Sequence, residues 1–233
     1  MKNKLLVETR DLTKIYFRKK GSQIKALDRI NLDVFSGEFL ALVGRSGSGK
    51  TTLLNLIGAL DRPTSGEVLS EGKSLCDFSN RGLALLRREK IGFIFQTFNL
   101  LPSLTVLENV ESALVRSPMS KSEITEKVAS LLEFLDLTDK SSMLPLELSV
   151  GQQQKVAIAR ALIKNPTLIL ADEPTGEMDP IAGKEIVAKL VELKRKSEVT
   201  MIVASHGTFP YEQADRTLFI KKGKIVSQKE AGY

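Results

Sequence analysis

The sequence has no tryptophan, three tyrosines, one cysteine (Cys76) and one histidine (His206) in 233 residues. A lone cysteine excludes an intramolecular disulfide and a cysteine zinc cage, and it fits a reducing compartment. A lone histidine excludes metal sites that need several, and any acid/base scheme built on a histidine pair. No apolar run approaches the roughly 18 residues of a membrane span. The first residues, Met1 to Val7, break into charge at Glu8 and are too short for a signal peptide. Internal repeats, low-complexity stretches and an obvious flexible linker are missing as well.

What is present is ordinary globular material. With 42% hydrophobic and 27% charged residues, collagen, coiled coil and wholesale disorder are ruled out. At roughly 150 residues per domain, residues 1–233 read as a single domain or a core carrying a smaller subdomain. A chain of this length buries about 70–75% of its unfolded surface and needs no staple. Its 34 basic against 28 acidic residues give a net charge of +6, which favours an anionic partner: nucleotide, nucleic acid or lipid headgroup.

Leu5–Leu12 and Ile24–Val34 read as strands, the second from its alternation of Ile30, Leu32 and Val34 with Asn31 and Asp33. Phe39–Val43 is apolar without alternation, the pattern of a strand covered on both faces in a parallel sheet. A helical pattern over Lys50–Leu60 follows a glycine-rich turn. From Thr105 to Leu148 the chain reads as helical, with Ile124, Val128, Leu131, Leu132 and Leu135 on one face and a Ser120/Glu123 capping box. A helix over Val150–Lys164 stops at Asn165-Pro166, and a buried strand covers Leu168–Ala171. A helix over Lys184–Lys196, a strand over Val199–Ala204 and a hairpin turning at Lys222-Gly223-Lys224 complete the chain. Strand–helix alternation around an inserted helical block predicts an α/β fold with a helical subdomain.

Gly44-Arg45-Ser46-Gly47-Ser48-Gly49-Lys50-Thr51 fits G-x-x-x-x-G-K-[ST] at every fixed position, between a buried strand and a helix. Its glycines let backbone N–H groups wrap a phosphate, and the helix adds its positive end. Lys50 supplies a charge for the β- and γ-phosphates, and the Thr51 hydroxyl can ligate Mg²⁺. The strand ending in Asp172-Glu173 places two carboxylates at the ligand edge of such a sheet. Asp172 suits Mg²⁺, and Glu173 suits a general base on the attacking water. Ser149 and Gln152 make a capping box, which explains part of Leu148–Gln154 by itself. A hydroxyl and Gly151 at a helix start also form a second anion site.

Together these segments resemble the ATP-binding subunit of an ABC transporter, from about Leu5 to Ser227. Gly44–Thr51 is similar to the family's Walker A loop, which adds Thr52 to the nucleotide contacts. Gln96 in Phe93-Ile94-Phe95-Gln96 resembles the Q-loop residue, and Leu148–Gln152 the signature motif. Leu168–Glu173 resembles Walker B, Gly176–Asp179 the D-loop, and His206 the switch histidine that senses the γ-phosphate. Tyr16 stands where the family has an aromatic residue stacked on adenine, with Phe17 as the alternative. Arg87–Gln96, Phe98–Pro102 and Leu60–Gly66 resemble one subgroup, which includes lipoprotein-releasing, macrolide-export and cell-division ATPases and antimicrobial-peptide resistance pumps.

The resemblance implies a P-loop NTPase (RecA-like) core with an N-terminal antiparallel β-subdomain and an α-helical subdomain over about residues 97–158. It implies a head-to-tail dimer, with itself or a paralogue, burying two ATP, with Ser149 and Gly151 reaching the partner's γ-phosphate. Mg²⁺ is expected at Thr51, Gln96 and Asp172. ATP contacts are expected from Tyr16, Gly44, Ser46, Gly47, Ser48, Gly49, Lys50, Thr51, Thr52, Ser149, Gly151, Gln152 and Asp179, and catalysis from Glu173, His206, Gln96 and Lys50. A separate membrane permease, docked partly on the apolar segment Thr97–Leu107, would place the protein on the cytoplasmic face of the membrane. Nucleic acid is not the expected partner, and the basic clusters read as solvated faces. Export, extraction of a lipophilic compound and transmembrane signalling all fit; the alternatives are an ATP-switched module with low turnover and a soluble non-transport ATPase.

Several positions depart from the family pattern. Val150 replaces the first glycine of Leu-Ser-Gly-Gly-Gln, and a β-branched residue there predicts backbone strain or bulk near a phosphate. Lys155 stands where arginine is usual, Glu177 and Met178 replace Asn and Leu, and Gly207 replaces an aspartate.

Overall fold

The computed structural model describes residues 4–17, 22–206 and 211–232. The chain runs through β1 (Leu5–Phe17), β2 (Gln23–Phe35), β3 (Phe39–Val43), α1 (Lys50–Ile57), β4 (Ser65–Ser70), β5 (Lys73–Ser74), α2 (Asn80–Lys90) and β6 (Ile91–Ile94). It continues helically through α3 (Val106–Glu111), α4 (Lys121–Phe134) and α5 (Val150–Leu162). Then come β7 (Leu168–Asp172), α6 (Pro180–Lys196), β8 (Thr200–Ser205), β9 (Arg216–Lys221), β10 (Lys224–Val226) and α7 (Gln228–Ala231).

Two sheets result. The first, in the order β2-β1-β4-β5, is antiparallel; the second, β10-β9-β3-β8-β7-β6, is parallel except for its terminal hairpin. The central strands are buried on both faces, and their period-2 geometry sorts side chains between two cores. Leu168 and Leu170 of β7 and Ile202 and Ala204 of β8 join Leu40, Leu42, α1 and the first sheet. Ile169, Ala171, Met201 and Val203 point the other way, into a core shared with α3, α4, α5 and α6. The helical block therefore packs directly on the main sheet, with Val106, Val110, Val128, Leu132 and Val156 in that same core.

Most expected elements are present, with informative differences at their ends. Thr105–Leu148 is not one helical run: α3 and α4 are separated by a 3₁₀ turn (Ser112–Leu114) and left-handed Arg116 (φ 69°), and two further 3₁₀ turns follow α4. α1 stops at Ile57 because Gly58 caps it and Ala59 turns left-handed (φ 56°). α6 begins at Pro180 rather than Lys184, since the Asp179 carboxylate accepts from Ile181 N and Ala182 N and proline suits the first turn. β1 runs on to Phe17 through register shifts around Asp11 (φ 43°), which break the alternation that a regular strand would show. The Ser120 capping box is present as expected.

Candidate active site

The loop after β3 is shaped by groups that forbid larger residues. A Cβ on Gly44 would sit 2.3 Å from Ile220 O and 2.6 Å from Ser48 Oγ. Gly49 holds φ 114°, and a Cβ there would lie 2.6 Å from Ala26 O. A Cβ on Gly47 would meet nothing within 4 Å, so its φ of 72° rather than crowding favours glycine there. Lys50 is 4% exposed, and its Nζ donates to Gly44 O (2.7 Å) and Arg45 O (3.4 Å) while standing 3.4 Å from Glu173 Oε1. The ammonium is thereby held at the loop's mouth.

β7 and β8 bring the acidic side of the site to the same place. Glu173 follows β7 in the left-handed region (φ 47°), its N–H bonded to Ala204 O at 2.9 Å. That conformation is uncommon for a non-glycine residue and turns the side chain out of the strand's alternation. Its Oε2 lies 2.5 Å from His206 Nδ1, so one carboxylate spans Lys50 and His206. Asp172 is held above the usual carboxylate range by burial, partly offset by a hydrogen bond from Thr51, with Glu173 raising it further. Asp172 Oδ1 and Ser48 Oγ are buried without partners. Two orphaned oxygens beside a glycine cradle, a lysine and Thr51 fit a hydrated Mg²⁺ with a polyphosphate.

Gln96 Nε2 donates to Glu177 Oε1 at 2.8 Å, which joins the segment after β6 to the turn before α6. The backbone that follows is fixed from a distance: Arg160 of α5 donates to Asn99 O and Phe98 O, both residues being left-handed (φ 49° and 59°). Asp179 is engaged in capping α6. Tyr16 donates through its hydroxyl to Asp61 Oδ2 (3.0 Å) and lies against Thr52 of α1, with Lys14 Nζ 5.0 Å from its ring centroid. Burial and the Asp61 contact raise its pKa, against the Thr52 hydrogen bond.

The start of α5 resolves the three glutamines. Gln152 closes the capping box with Ser149, Gln153 Nε2 donates to Leu148 O (3.2 Å), and buried Gln154 donates to Pro174 O (2.9 Å), tying α5 to the turn after Glu173. Ser149 Oγ accepts from Gln152 N, which leaves its O–H hydrogen available to a phosphate, so capping and anion contact are compatible. Val150 carries no backbone strain: it is an ordinary helical residue with negative φ, 42% exposed, and only its bulk remains as a departure. Lys155 stands 3.5 Å from Asp136 Oδ2 and 3.7 Å from Glu185 Oε2, joining α5 to α6.

Within the chain the structure gathers Lys50, Thr51, Asp172, Glu173 and His206. No hydrogen bond or ion pair among the described residues joins Ser149 or Gly151 to that group. Glu177, Asp61 and Arg160 are contributors that motif spacing did not reveal. Residues 18–21, which include the basic cluster Arg18-Lys19-Lys20, and Gly207 lie outside the described residues.

Comparison with known proteins identifies the family. The ABC transporter family pattern matches residues 27–176. The chain is 46% identical over 204 residues to the ABC transporter ATP-binding protein YvrO of Bacillus subtilis, covering 88% of this chain and 89% of that protein. It is 43% identical to the macrolide export ATP-binding/permease protein MacB of Hyphomonas neptunium over 95% of its own length but only 34% of MacB's. Two dimeric structures of the Methanocaldococcus jannaschii cassette MJ0796, one in a post-hydrolysis state with ADP and Pi, superpose with a TM-score of 0.88 at 40% identity, covering 95% of this chain and 97% of theirs. The chain belongs to the ABC transporter family, as an ATP-binding cassette.

Proposed function

We propose that the chain binds and hydrolyses ATP at the Lys50–Glu173–His206 site and drives a separate membrane permease in export or in extraction of a lipophilic compound. The observation that carries the catalytic assignment is the Glu173 carboxylate held between Lys50 and His206 beside the glycine loop. The loop N–H groups and Lys50 would bind the phosphates. Thr51, Asp172 and Gln96 would hold Mg²⁺, which supplies neutralisation of the charge on the β- and γ-phosphates. Glu173 would accept a proton from the attacking water, and His206 would keep that carboxylate oriented and report on the γ-phosphate. Ser149 and Gly151 would complete the site of a second copy in a head-to-tail dimer, a reading supported by the dimeric MJ0796 structures.

Residues 1–233 act as one cassette in this reading, with about 97–158 as the helical subdomain. No described helix is long and apolar enough to cross a membrane. MacB and the pyoverdine exporter PvdT are named as ATP-binding/permease proteins, and this chain matches 34% of each. The permease would dock on exposed apolar residues of the helical block, Leu101, Val115, Leu144 and Leu146, and hold the cassette at the inner membrane face. Glu173→Gln should retain ATP binding, accumulate an ATP-bound dimer and lose turnover by about 10²-fold or more. Unchanged phosphate release from that variant would remove Glu173 as the base.

A further inference from the structure

A cleft of about 620 Å³ opens at the pole of the main sheet opposite the P-loop, where β7 and β8 begin. Leu6, Leu131, Leu162, Ile163, Leu193 and Val199 give it apolar walls drawn from the first sheet, α4, α5 and α6. Its size falls within the range of small-ligand pockets. A second cavity, about 190 Å³, adjoins it and differs in chemistry: Arg88, Arg116, Lys127 and Lys164 line it with Glu89 as the one acid. Lys127 lines both cavities.

Among the described residues the charges in the smaller cavity are not balanced. Glu89 is taken by Arg88 Nη2 at 3.0 Å. Lys164 Nζ donates to Arg87 O, and burial together with Arg160 lowers its pKa to about 8. Arg116 and Lys127 make no hydrogen bond or ion pair among the described residues, and burial lowers the Lys127 pKa as well. Half-buried Lys127 and Lys164 stand beside exposed Arg88 and Arg116 with Glu89 as the one carboxylate, a surplus of positive charge that an incoming anion stabilises.

We propose that the two cavities form one binding site for a single-chain amphiphile with a phosphate head, the alkyl chain in the larger cleft and the head against Arg116 and Lys127. An arginine fork beside lysines suits a phosphate's several oxygens better than a single carboxylate. The apolar walls explain why a free anion alone would leave most of the site unused. The site is separate from the nucleotide loop, yet α5 runs from Ser149 to the cleft at Leu162, and β7 runs from the cleft to Asp172.

The test is calorimetric titration of the intact chain, its nucleotide loop saturated with a non-hydrolysable ATP analogue, with dodecyl phosphate below its micelle-forming concentration. Saturable binding is expected, with none for inorganic phosphate or dodecyltrimethylammonium. Lys127→Glu should weaken it about tenfold or more. Ser130→Trp, which fills the cleft from an exposed position, should weaken it comparably, and both variants should keep wild-type ATP affinity. Absence of binding, equal binding of the cationic amphiphile, or binding that survives both substitutions would overturn the site. Tighter binding of dodecanoate would overturn the phosphate head.

Discussion

Asp172 is a carboxyl whose burial disfavours its charged form in the ligand-free protein. Its folded pKa lies above the unfolded one, so the native state binds the proton more tightly and stability falls as pH rises from about 4 upward. Asp172→Asn should therefore raise the melting temperature of the nucleotide-free protein at pH 7, with the difference vanishing below about pH 4. Mg²⁺-ATP should reverse the order, because only the wild type offers a carboxylate to the metal; thermal shift at several pH values checks both. Glu177 makes a different demand. An ionised carboxylate only accepts, so it holds the Gln96 NH₂ towards itself and leaves Oε1 free for metal or water. Glu177→Ala should raise the Mg²⁺ concentration for half-maximal turnover about 2- to 10-fold, with a smaller effect on kcat. Lys50, Asp172 and Glu173 were legible in the sequence because their spacing is itself the chemistry. Glu177 was not, since its partner lies 81 residues away and no local pattern links a turn carboxylate to a distant amide.

Elements were legible where one physical signal dominated, as in β3 and β7, whose unbroken apolar runs match burial on both faces. They blurred where turns interrupted the period: Asp11 inside β1, Arg116 between α3 and α4, and the Asp179-Pro180 start of α6. α2 carries one fully buried side chain, Leu83, and offers almost no stripe to read. Asn109 shows what an element can hide. It is fully buried in α3, accepts from Leu101 N and donates to Leu101 O, Leu104 O and Thr105 O, so it pins the segment leading from Gln96 into the helical block. Asn109→Ala leaves those backbone groups without their partner and should cost about 2 kcal/mol or more, measured by urea unfolding. Loss of the Ser149 cap in Ser149→Ala should cost about 1 kcal/mol by the same measurement.

At the scale of the whole molecule, the groups gathered within one chain stop short of Ser149 and Gly151, the residues proposed to reach a second copy's phosphate, which places the remaining question between copies. Val150 lies on that surface. The single chain accommodates it, since an ordinary helical φ suits a β-branched residue at a helix start and the side chain remains 42% exposed. Any cost must therefore arise on pairing, where an isopropyl group stands beside the serine that would reach the partner's phosphate. Ile181, 75% exposed at the start of α6, enlarges the apolar rim that pairing could cover. Val150→Gly introduced into Glu173→Gln should lower the ATP concentration needed for dimerisation, read by light scattering, while costing the monomer up to about 1 kcal/mol through added backbone freedom. Steady-state turnover of Val150→Gly alone should change in the same experiment series. Unchanged dimerisation in the double variant would mean that the second copy's phosphate lies beyond reach of the side chain, and that the exposed Ser149 hydroxyl carries the contact regardless of its neighbour.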